Sequence, residues 1–306
     1  MCIVSSEIVD SIVKELEIDD IRSASIRQIG AVVRAVEART GVEYIHFEMG
    51  VPGLPPSAVG VKAECEALQR GVASVYPIID GIPEIKEQAS RFVKAFLDAD
   101  INPQGCIPTV GSMQAAFASL MLVSQLDKKR DTVLYIDPGF PVQKLQAQVI
   151  GVNVASFDIA DFRGKALEAK LEEFYAKGNI GAVLYSTPNN PTWMTLTDEE
   201  LEIIGRLSAK YDVLVIEDLA YMTMDFRCDM SRPSEPPYQP SVSKYTDNYI
   251  LLISASKIFS YAGQRIALAC ISDKLFARHY DSLKERYGMA RFGAAFAYAF
   301  LYSFSS

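Results

Sequence analysis

A lysine that follows an apolar run is the first residue in this sequence that could carry out chemistry. Lys257 ends the segment Ser254-Ala-Ser-Lys257, directly after the run Tyr249–Ile253, which is typical of a buried strand. Burial disfavours the charged ammonium and lowers the pKa of a lysine, so the amine becomes a nucleophile that can form a Schiff base with a carbonyl cofactor. General base rates make an ordinary loop lysine an equally good interpretation of this stretch alone.

A second apolar run brings a carboxylate and a phenol into the argument. The run Val213–Ile216 is followed by Glu217 and Asp218, and Tyr221 comes three residues after the aspartate. Open parallel sheets bind their ligands at the carboxyl ends of the strands. We therefore expect Asp218 and Tyr221 to meet Lys257 at one edge of a sheet.

A family resemblance rests on these residues together with others whose order and spacing also match. The additional residues are Asn190-Pro191 after the run Ala182–Ser186, Ser254, and Arg265 eight residues after the lysine. Together they resemble the fold-type I aminotransferases of class I and II, which use pyridoxal phosphate (PLP). The resemblance extends from about Ile26 to the last residue. Each motif alone is weak, and the specificity lies in the set.

The resemblance implies a division of labour around the cofactor ring. Lys257 would hold PLP as a Schiff base, then act as a general acid and base between the substrate α-carbon and the cofactor. Asp218 would pair with the pyridine nitrogen, and Tyr221 and Asn190 would hydrogen-bond the ring hydroxyl. The implied reaction moves an amino group between an amino acid and a 2-oxo acid.

The resemblance also implies a phosphate seat. The first amides of a helix have no intrahelical partners and face outward with the positive end of the dipole, which favours an anion. Ser112, Met113 and Gln114 open such a helix and would hold the phosphate through their amides. Ser254 and Arg265 would complete the seat, the arginine as a forked and permanently charged donor.

Three further residues take their predicted roles from the family. Phe140 would stack on the pyridine ring, with a plain core phenylalanine as the alternative. Tyr76, five residues before Gly81, would reach the cofactor phosphate of a partner subunit, which implies a homodimer; a buried structural tyrosine is the alternative. Gly50 would leave room for the substrate, beside which Asn190 also lies, and an ordinary turn glycine is an equally good interpretation.

The alternation of strand and helix patterns predicts the fold class. We expect an α/β protein with a mainly parallel central sheet and helices on both faces, the large domain of a PLP-dependent transferase, plus part of a smaller α/β domain. The predicted domains are an N-terminal arm over 1–47, a PLP-binding domain over 48–290, and the start of a C-terminal small domain over 291–306.

Some local features are predicted less directly. A short strand is expected from Glu43 into a Gly/Pro turn ending at Gly53, and residues 227–248 are expected to form a surface loop. Trp193, the only tryptophan, occupies a position where the family motif usually has glycine. That departure leaves the local loop shape and the substrate size open.

Composition excludes several classes of function. The 306 residues are 49% hydrophobic and 22% charged, as in ordinary globular proteins, and the net charge of −8 disfavours nucleic acid as a partner. The sequence has only two histidines, too few for a typical histidine-based metal site, so no metal is expected. Five widely spaced cysteines suit free thiols in a reducing cytoplasm, and no apolar stretch is long enough to span a membrane.

Alternatives to transamination stay open at this point. A carbon–sulfur β-lyase or another fold-type I PLP enzyme would share the cofactor residues and differ only in the substrate pocket. The segment Ser254-Ala-Ser-Lys257 also fits the S-x-x-K motif of serine acyl hydrolases, but no S-D-N or K-T-G follows it. A non-catalytic PLP-binding fragment is a further possibility.

The end of the chain supports that last alternative. Family members continue for roughly another hundred residues, one small domain, which supplies the arginine for the substrate carboxylate. Here an apolar helix is predicted to start near Arg291, and the sequence stops at Ser306. We expect the chain to keep the cofactor site and to catalyse transamination weakly or not at all.

Overall fold

The structure, a computed structural model, describes residues 4–46, 50–51, 53–76, 78 and 81–277. The chain divides into two compact units, one of residues Met1–Gly53 and one that begins at Leu54. The apolar helix predicted from Arg291 and the domain bound predicted at residue 290 lie outside the described residues. The predicted domain boundaries are not tested by this division and stay predictions.

The first unit is a pair of helices, α1 (Ser6–Glu15) and α2 (Ile26–Thr40). Ser25 and Gln28 form a capping box at the start of α2, which satisfies amides that the helix itself leaves without acceptors. The apolar faces of the two helices pack together, and Arg39 of α2 bonds both carboxylate oxygens of Glu15, at 3.0 and 2.7 Å.

The strand predicted after α2 is wrong for the residues that the structure describes there. Residues 43–46 have no strand hydrogen bonding, and the Tyr44 amide donates instead to the Glu37 carboxylate at 3.0 Å. The side chain of Ile45 is 82% exposed. A strand forms only where a neighbouring strand exchanges backbone hydrogen bonds with it, and none pairs with this segment among the described residues.

The second unit alternates strands and helices, and its strands are mainly apolar and buried apart from the edge strand Asn153–Asp158, as expected for a sheet covered on both faces. Its strands are β1 (Cys106–Val110), β2 (Thr132–Asp137), β3 (Asn153–Asp158), β4 (Ile180–Ser186), β5 (Leu214–Asp218), β6 (Tyr249–Ser254) and β7 (Ile266–Ile271). Its helices are α3 (Ala58–Gln69), α4 (Pro83–Leu97), α5 (Ser112–Leu126), α6 (Pro141–Val149), α7 (Ala166–Tyr175), α8 (Asp198–Tyr211) and α9 (Ala255–Ile258).

The strands form one sheet in the order β1-β7-β6-β5-β4-β2-β3. β2, β3, β4, β5 and β6 pair in parallel, and β7 is antiparallel to both of its neighbours, β6 and β1. β1 therefore points the same way as the parallel strands, and β7 alone runs against them. The predicted mainly parallel α/β sheet is confirmed.

Helices cover both faces of this sheet. On one face, α4, α7 and α8 contribute to a core that includes Leu97, Leu171 and Leu201. On the other face, α5 and α6 pack on the sheet through residues such as Leu120 and Ala147. Among the helices within the described ranges, none is both long and apolar enough to cross a lipid bilayer.

The predicted surface loop over 227–248 is only half correct. Its first part is largely exposed, but Gln239, Ser241 and Val242 are buried. The reason is a polar anchor, because the Ser241 hydroxyl donates to the buried Glu217 carboxylate at 2.6 Å. Once the chain is tied to the sheet in this way, its return toward β6 cannot remain on the surface.

Candidate active site

One edge of the sheet gathers the residues that the sequence singled out. The parallel strands β2, β4, β5 and β6 end there, where Ser186 pairs with Asp218. The antiparallel β7 begins at the same edge, because Ile266 pairs with Val110 at the end of β1 and Ala267 pairs with Ser254. Side chains that follow β1, β2, β4, β5 and β6 are thus brought together with those that precede β7.

Lys257 lies in α9, one turn beyond the end of β6 instead of at the strand end itself. Ser254 caps this turn, since its hydroxyl oxygen accepts from the Ser256 amide at 3.2 Å. The Lys257 amine is 5.9 Å from the centre of the Tyr221 ring. Burial, and secondarily the charge of Arg265, hold the pKa of Lys257 below its usual value, which is the direction predicted for a nucleophilic amine.

Asp218 is the last residue of β5 and is buried. Its two carboxylate oxygens accept from different groups, one from the Gln143 side-chain amide at 2.7 Å and one from the Ala220 backbone amide at 3.0 Å. Burial raises the pKa of Asp218 to about 6, although both hydrogen bonds oppose the rise. The carboxylate is therefore mostly ionised at neutral pH, and both of these hydrogen-bond donors are uncharged.

Tyr221 and Asn190 come from neighbouring strands and meet. The Asn190 side-chain amide donates to the Tyr221 hydroxyl oxygen at 3.3 Å. Burial, and then the nearby charge of Asp218, raise the pKa of Tyr221 above its usual value. The phenol therefore stays protonated near neutral pH and keeps a proton to donate to an acceptor placed beside it.

A cradle for an anion lies where β1 ends and β7 begins. Gly111 caps the start of α5 with φ of 78°, and a Cβ atom there would collide with the guanidinium of Arg265. The positive φ favours glycine at this position, because any other residue would be strained there, and an added methyl group would also have to displace the flexible end of the Arg265 side chain. This geometry places a permanent positive charge beside the positive end of a helix dipole.

The phosphate contact of Gln114 stays a prediction, although two of its groups already have hydrogen-bond partners at this helix start. Its backbone amide already donates to the Gly111 carbonyl at 3.1 Å, and its side-chain oxygen accepts from the Val110 amide. Gln114 thus caps the helix start from within. The amides of Ser112 and Met113 are the ones that remain for the predicted anion seat.

The cofactor or substrate roles of the remaining predicted residues stay predictions, and the structure gives their positions. Phe140 is half-buried at the start of α6, following β2, and the hydroxyl of Ser254 is engaged as the cap of α9. Tyr76 is 99% exposed. Gly50 belongs to the first unit, and its role beside a substrate stays a prediction.

Two functional candidates had no role assigned from the sequence. Gln143 bonds Asp218 across 75 residues of chain, and no local spacing could have revealed it. Glu217 precedes Asp218 and faces the opposite side of the sheet, as alternation along a strand requires. It is fully buried, accepts hydrogen bonds from Ser241, Val242 and Tyr185, and has its pKa raised by burial to about 7.

The chain is similar in sequence to known aminotransferases. A family model described as aminotransferase class I and II matches residues 42–304. A glutamate–pyruvate aminotransferase, AlaC of Escherichia coli K12, is 31% identical over 243 residues, which are 78% of this chain and 56% of the relative. An aspartate aminotransferase of Thermotoga maritima is 27% identical over 262 residues, covering 84% of this chain and 66% of the relative.

Solved structures agree on the fold. The crystal structure of an aspartate aminotransferase from Thermotoga maritima has a TM-score of 0.69 at 23% identity, covering 98% of this chain and 74% of that chain. An aspartate aminotransferase from Thermus thermophilus with maleate has a TM-score of 0.68 at 20% identity, with 97% and 72% covered. The chain spans between 56% and 59% of the length of the first curated relatives it matches.

Proposed function

This chain belongs to the class I and II aminotransferase family, and from that premise we propose that it is a pyridoxal phosphate-dependent aminotransferase. It would move an amino group between an amino acid and a 2-oxo acid. The observation that carries the proposal is the pair formed by Lys257 and Asp218. A lysine with a lowered pKa and a buried carboxylate lie at the same sheet edge, beside one tyrosine ring.

The residues at this edge fit the cofactor. A phosphate suits the cradle of Gly111 and Arg265, where a glycine leaves the helix amides and the guanidinium open to one anion. A protonated pyridine nitrogen suits Asp218, because a buried carboxylate whose pKa is raised gains most from a cationic partner. Asn190 and Tyr221 would hold a ring hydroxyl from the opposite side.

The chemistry follows from what each side chain can hold or move. When bound, PLP supplies a carbonyl carbon that condenses with amines and a ring that accepts electrons. Lys257 would be the nucleophile for that carbon and afterwards the base that takes a proton from the substrate α-carbon and, as an acid, delivers it to the cofactor carbon, since its lowered pKa leaves more of the amine unprotonated. Asp218 stabilises a proton on the ring nitrogen through its negative charge.

Labelling of the lysine tests this assignment. We expect the purified chain mixed with PLP to become covalently modified after borohydride reduction, with the label on Lys257 by peptide mapping. Lys257→Ala should abolish the label, whereas Lys244→Ala, which changes an exposed lysine, should not. A label on Lys244 or Lys274, or none in a folded sample, would contradict the proposal.

The reaction catalysed is tested by its products. Whatever turnover the chain gives with single amino acids and a 2-oxo acid acceptor should produce the matching 2-oxo acid of the donor without ammonia. Ammonia together with pyruvate would instead indicate a β-lyase that shares the cofactor residues. The amino acid used is a separate outcome of the same assay.

We also propose that the enzyme is a homodimer with composite sites. The support is an exposed apolar segment around Tyr76, in which Val75 is 70%, Tyr76 99% and Ile78 56% exposed. Tyr76 would reach the cofactor phosphate of a second copy. Mixing Tyr76→Phe with Lys257→Ala should restore activity, because a heterodimer then has one site with both defects and one with neither; an active monomer would refute it.

A cytoplasmic location is proposed as well. Its support is chemical, since Cys65, Cys106, Cys228 and Cys270 are all free thiols. Fractionation of cells that produce the protein tests the location directly.

A further inference from the structure

Trp193 adopts a backbone conformation that favours glycine. Its φ is 61°, in the left-handed region, where a bulky side chain is a true outlier. The surrounding loop holds it there, because the Trp193 amide donates to the Asn189 carbonyl at 2.9 Å and the Asn189 amide donates to the Met194 carbonyl at 2.9 Å. The loop geometry would be easier to form with glycine, so the indole itself requires an explanation.

The indole makes an aromatic contact at the candidate active site. Its ring centre lies 5.4 Å from that of Tyr221, with the two planes at 72°, an edge-to-face arrangement. Such aromatic pairs attract beyond the area they bury, because the positive edge of one ring meets the negative face of the other. Trp193 remains 45% exposed, so burial of the indole alone does not account for its position.

The Tyr221 ring therefore has neighbours on several sides. Trp193 packs against it from the loop after β4, the Lys257 amine of α9 lies 5.9 Å from its centre, and the Asn190 amide holds its hydroxyl at 3.3 Å. The charge of Asp218, at the end of β5, also acts on its phenol. Without the indole, the side of the ring that faces the loop would be open to water.

We propose that Trp193 is a positioning residue, whose indole fixes the Tyr221 ring beside Lys257 and keeps its hydroxyl on Asn190. The inference rests on the proposed function, since Tyr221 is the residue that would hold the ring hydroxyl of the cofactor. A glycine at this position would relieve the backbone strain, but it would also remove the indole that positions Tyr221. The strained left-handed conformation is therefore kept. A tryptophan that merely filled the loop would affect folding without affecting Tyr221.

Three substitutions separate the ring from the backbone. Trp193→Phe keeps an aromatic ring and the left-handed cost, Trp193→Ala keeps only the cost, and Trp193→Gly removes both. We expect PLP affinity, measured by equilibrium dialysis of the full chain, to depend on whether residue 193 has an aromatic ring. Phe should stay near wild type, and Ala and Gly should both weaken binding about two- to tenfold, the worth of one aromatic pair.

A second measurement does not depend on the cofactor. With ¹³Cζ-labelled tyrosine and Tyr221→Phe to assign its resonance, the phenol can be titrated in cofactor-free protein. Ala and Gly at position 193 should both lower the pKa of Tyr221, because removal of the indole exposes the ring and weakens the burial that raises it. Phe should leave the pKa largely in place.

The outcomes are distinct. Trp193 is not a positioning residue if the Gly variant has a higher PLP affinity and a higher Tyr221 pKa than the Ala and Phe variants, because relief of backbone strain would then be the cause. The same conclusion holds if neither the affinity nor the pKa changes in any variant. If the wild-type chain binds no PLP, the proposed function fails, and the titration still decides the role of Trp193. Thermal unfolding of each variant shows that it is folded before either measurement is read.

Discussion

Replacement of Gln143 by leucine should make the stability of this protein depend more strongly on pH. The Gln143 side-chain amide donates to a buried oxygen of Asp218 at 2.7 Å and opposes the rise in the pKa of that carboxyl. Leucine is similar in size and donates nothing. The ionised carboxylate loses one of its two hydrogen-bond donors, whereas the protonated carboxyl loses much less.

The magnitude follows from the pKa. The rise from 3.8 to about 6 already makes the charged Asp218 cost the folded state about 3 kcal/mol, at 1.36 kcal/mol per pH unit. A hydrogen bond to a charged group contributes about 1.5–3 kcal/mol. Its loss should raise the pKa of Asp218 by a further one to two units, to between about 7 and 8.

Proton linkage gives the direction in which stability changes with pH. The folded pKa lies above the unfolded one, so the folded state binds more protons and stability falls as pH rises between the two values. In the variant this fall extends to higher pH. Gln143→Leu should therefore cost about 1.3–2.5 kcal/mol more at pH 8.5 than at pH 5, and the two proteins should differ least in acid.

Urea unfolding of cofactor-free protein at pH 5 and pH 8.5 measures this difference. Gln146→Leu is the matched control, because it removes a hydrogen bond from the same helix to the Met113 carbonyl, which does not titrate. The titration of Glu217 is common to all three proteins and cancels. Equal costs for Gln143→Leu at both pH values would refute the reasoning, as would a pH-dependent cost for the control.

Three further predictions concern other buried or strained groups. The effect of Glu217→Gln on the free energy of unfolding should be about 3 kcal/mol more favourable at pH 8.5 than at pH 4, because the pKa of about 7 makes the ionised carboxylate of the wild type costly above neutrality. Urea unfolding of both proteins at the two pH values checks this. Gly111→Ala should destabilise by at least about 1 kcal/mol and weaken phosphate and PLP binding, since its φ is 78° and the added methyl group meets Arg265; binding unchanged from wild type in dialysis would contradict it. Arg163→Met should cost about 2 kcal/mol in urea unfolding, because the buried Glu200 carboxylate loses donors at 2.5 and 2.8 Å, and Arg206→Met, in the exposed ion pair with Glu168, should cost far less.

The parts of the fold that could be predicted are those with local causes. Buried parallel strands are apolar along their whole length, so runs such as Tyr249–Ile253 indicate strands without any knowledge of their neighbours. The start of α8 also has a local cause, because Thr197 and Glu200 form a capping box within four residues of sequence. The strand predicted from Glu43 is wrong over residues 43–46, because a local sequence does not by itself supply a pairing strand.

The candidate site divides in the same way. Lys257, Asp218, Tyr221 and Asn190 follow apolar runs, and parallel topology then brings strand ends together at one edge. Gln143 could not be predicted, because its contact with Asp218 depends on how α6 packs across the sheet. The burial of the chain at Ser241 could not be predicted either, because it depends on the hydrogen bond of Ser241 to the distant Glu217 carboxylate. A serine that closely follows several prolines is by itself typical of a surface loop.

The position of β7 has a consequence for synthesis on the ribosome. β7 lies between β1 and β6, and within the described sheet it is the neighbour of β1. Residues 111–265 must be translated after β1 before that partner begins to appear, which takes roughly ten to thirty seconds at ordinary elongation rates. Throughout that interval the nascent chain has an unpaired strand and only half of the anion cradle, because Gly111 is made early and Arg265 late. An anion therefore cannot meet the complete cradle until Arg265 has been made, and a chain interrupted before β7 would leave β1 without its neighbour in the described sheet.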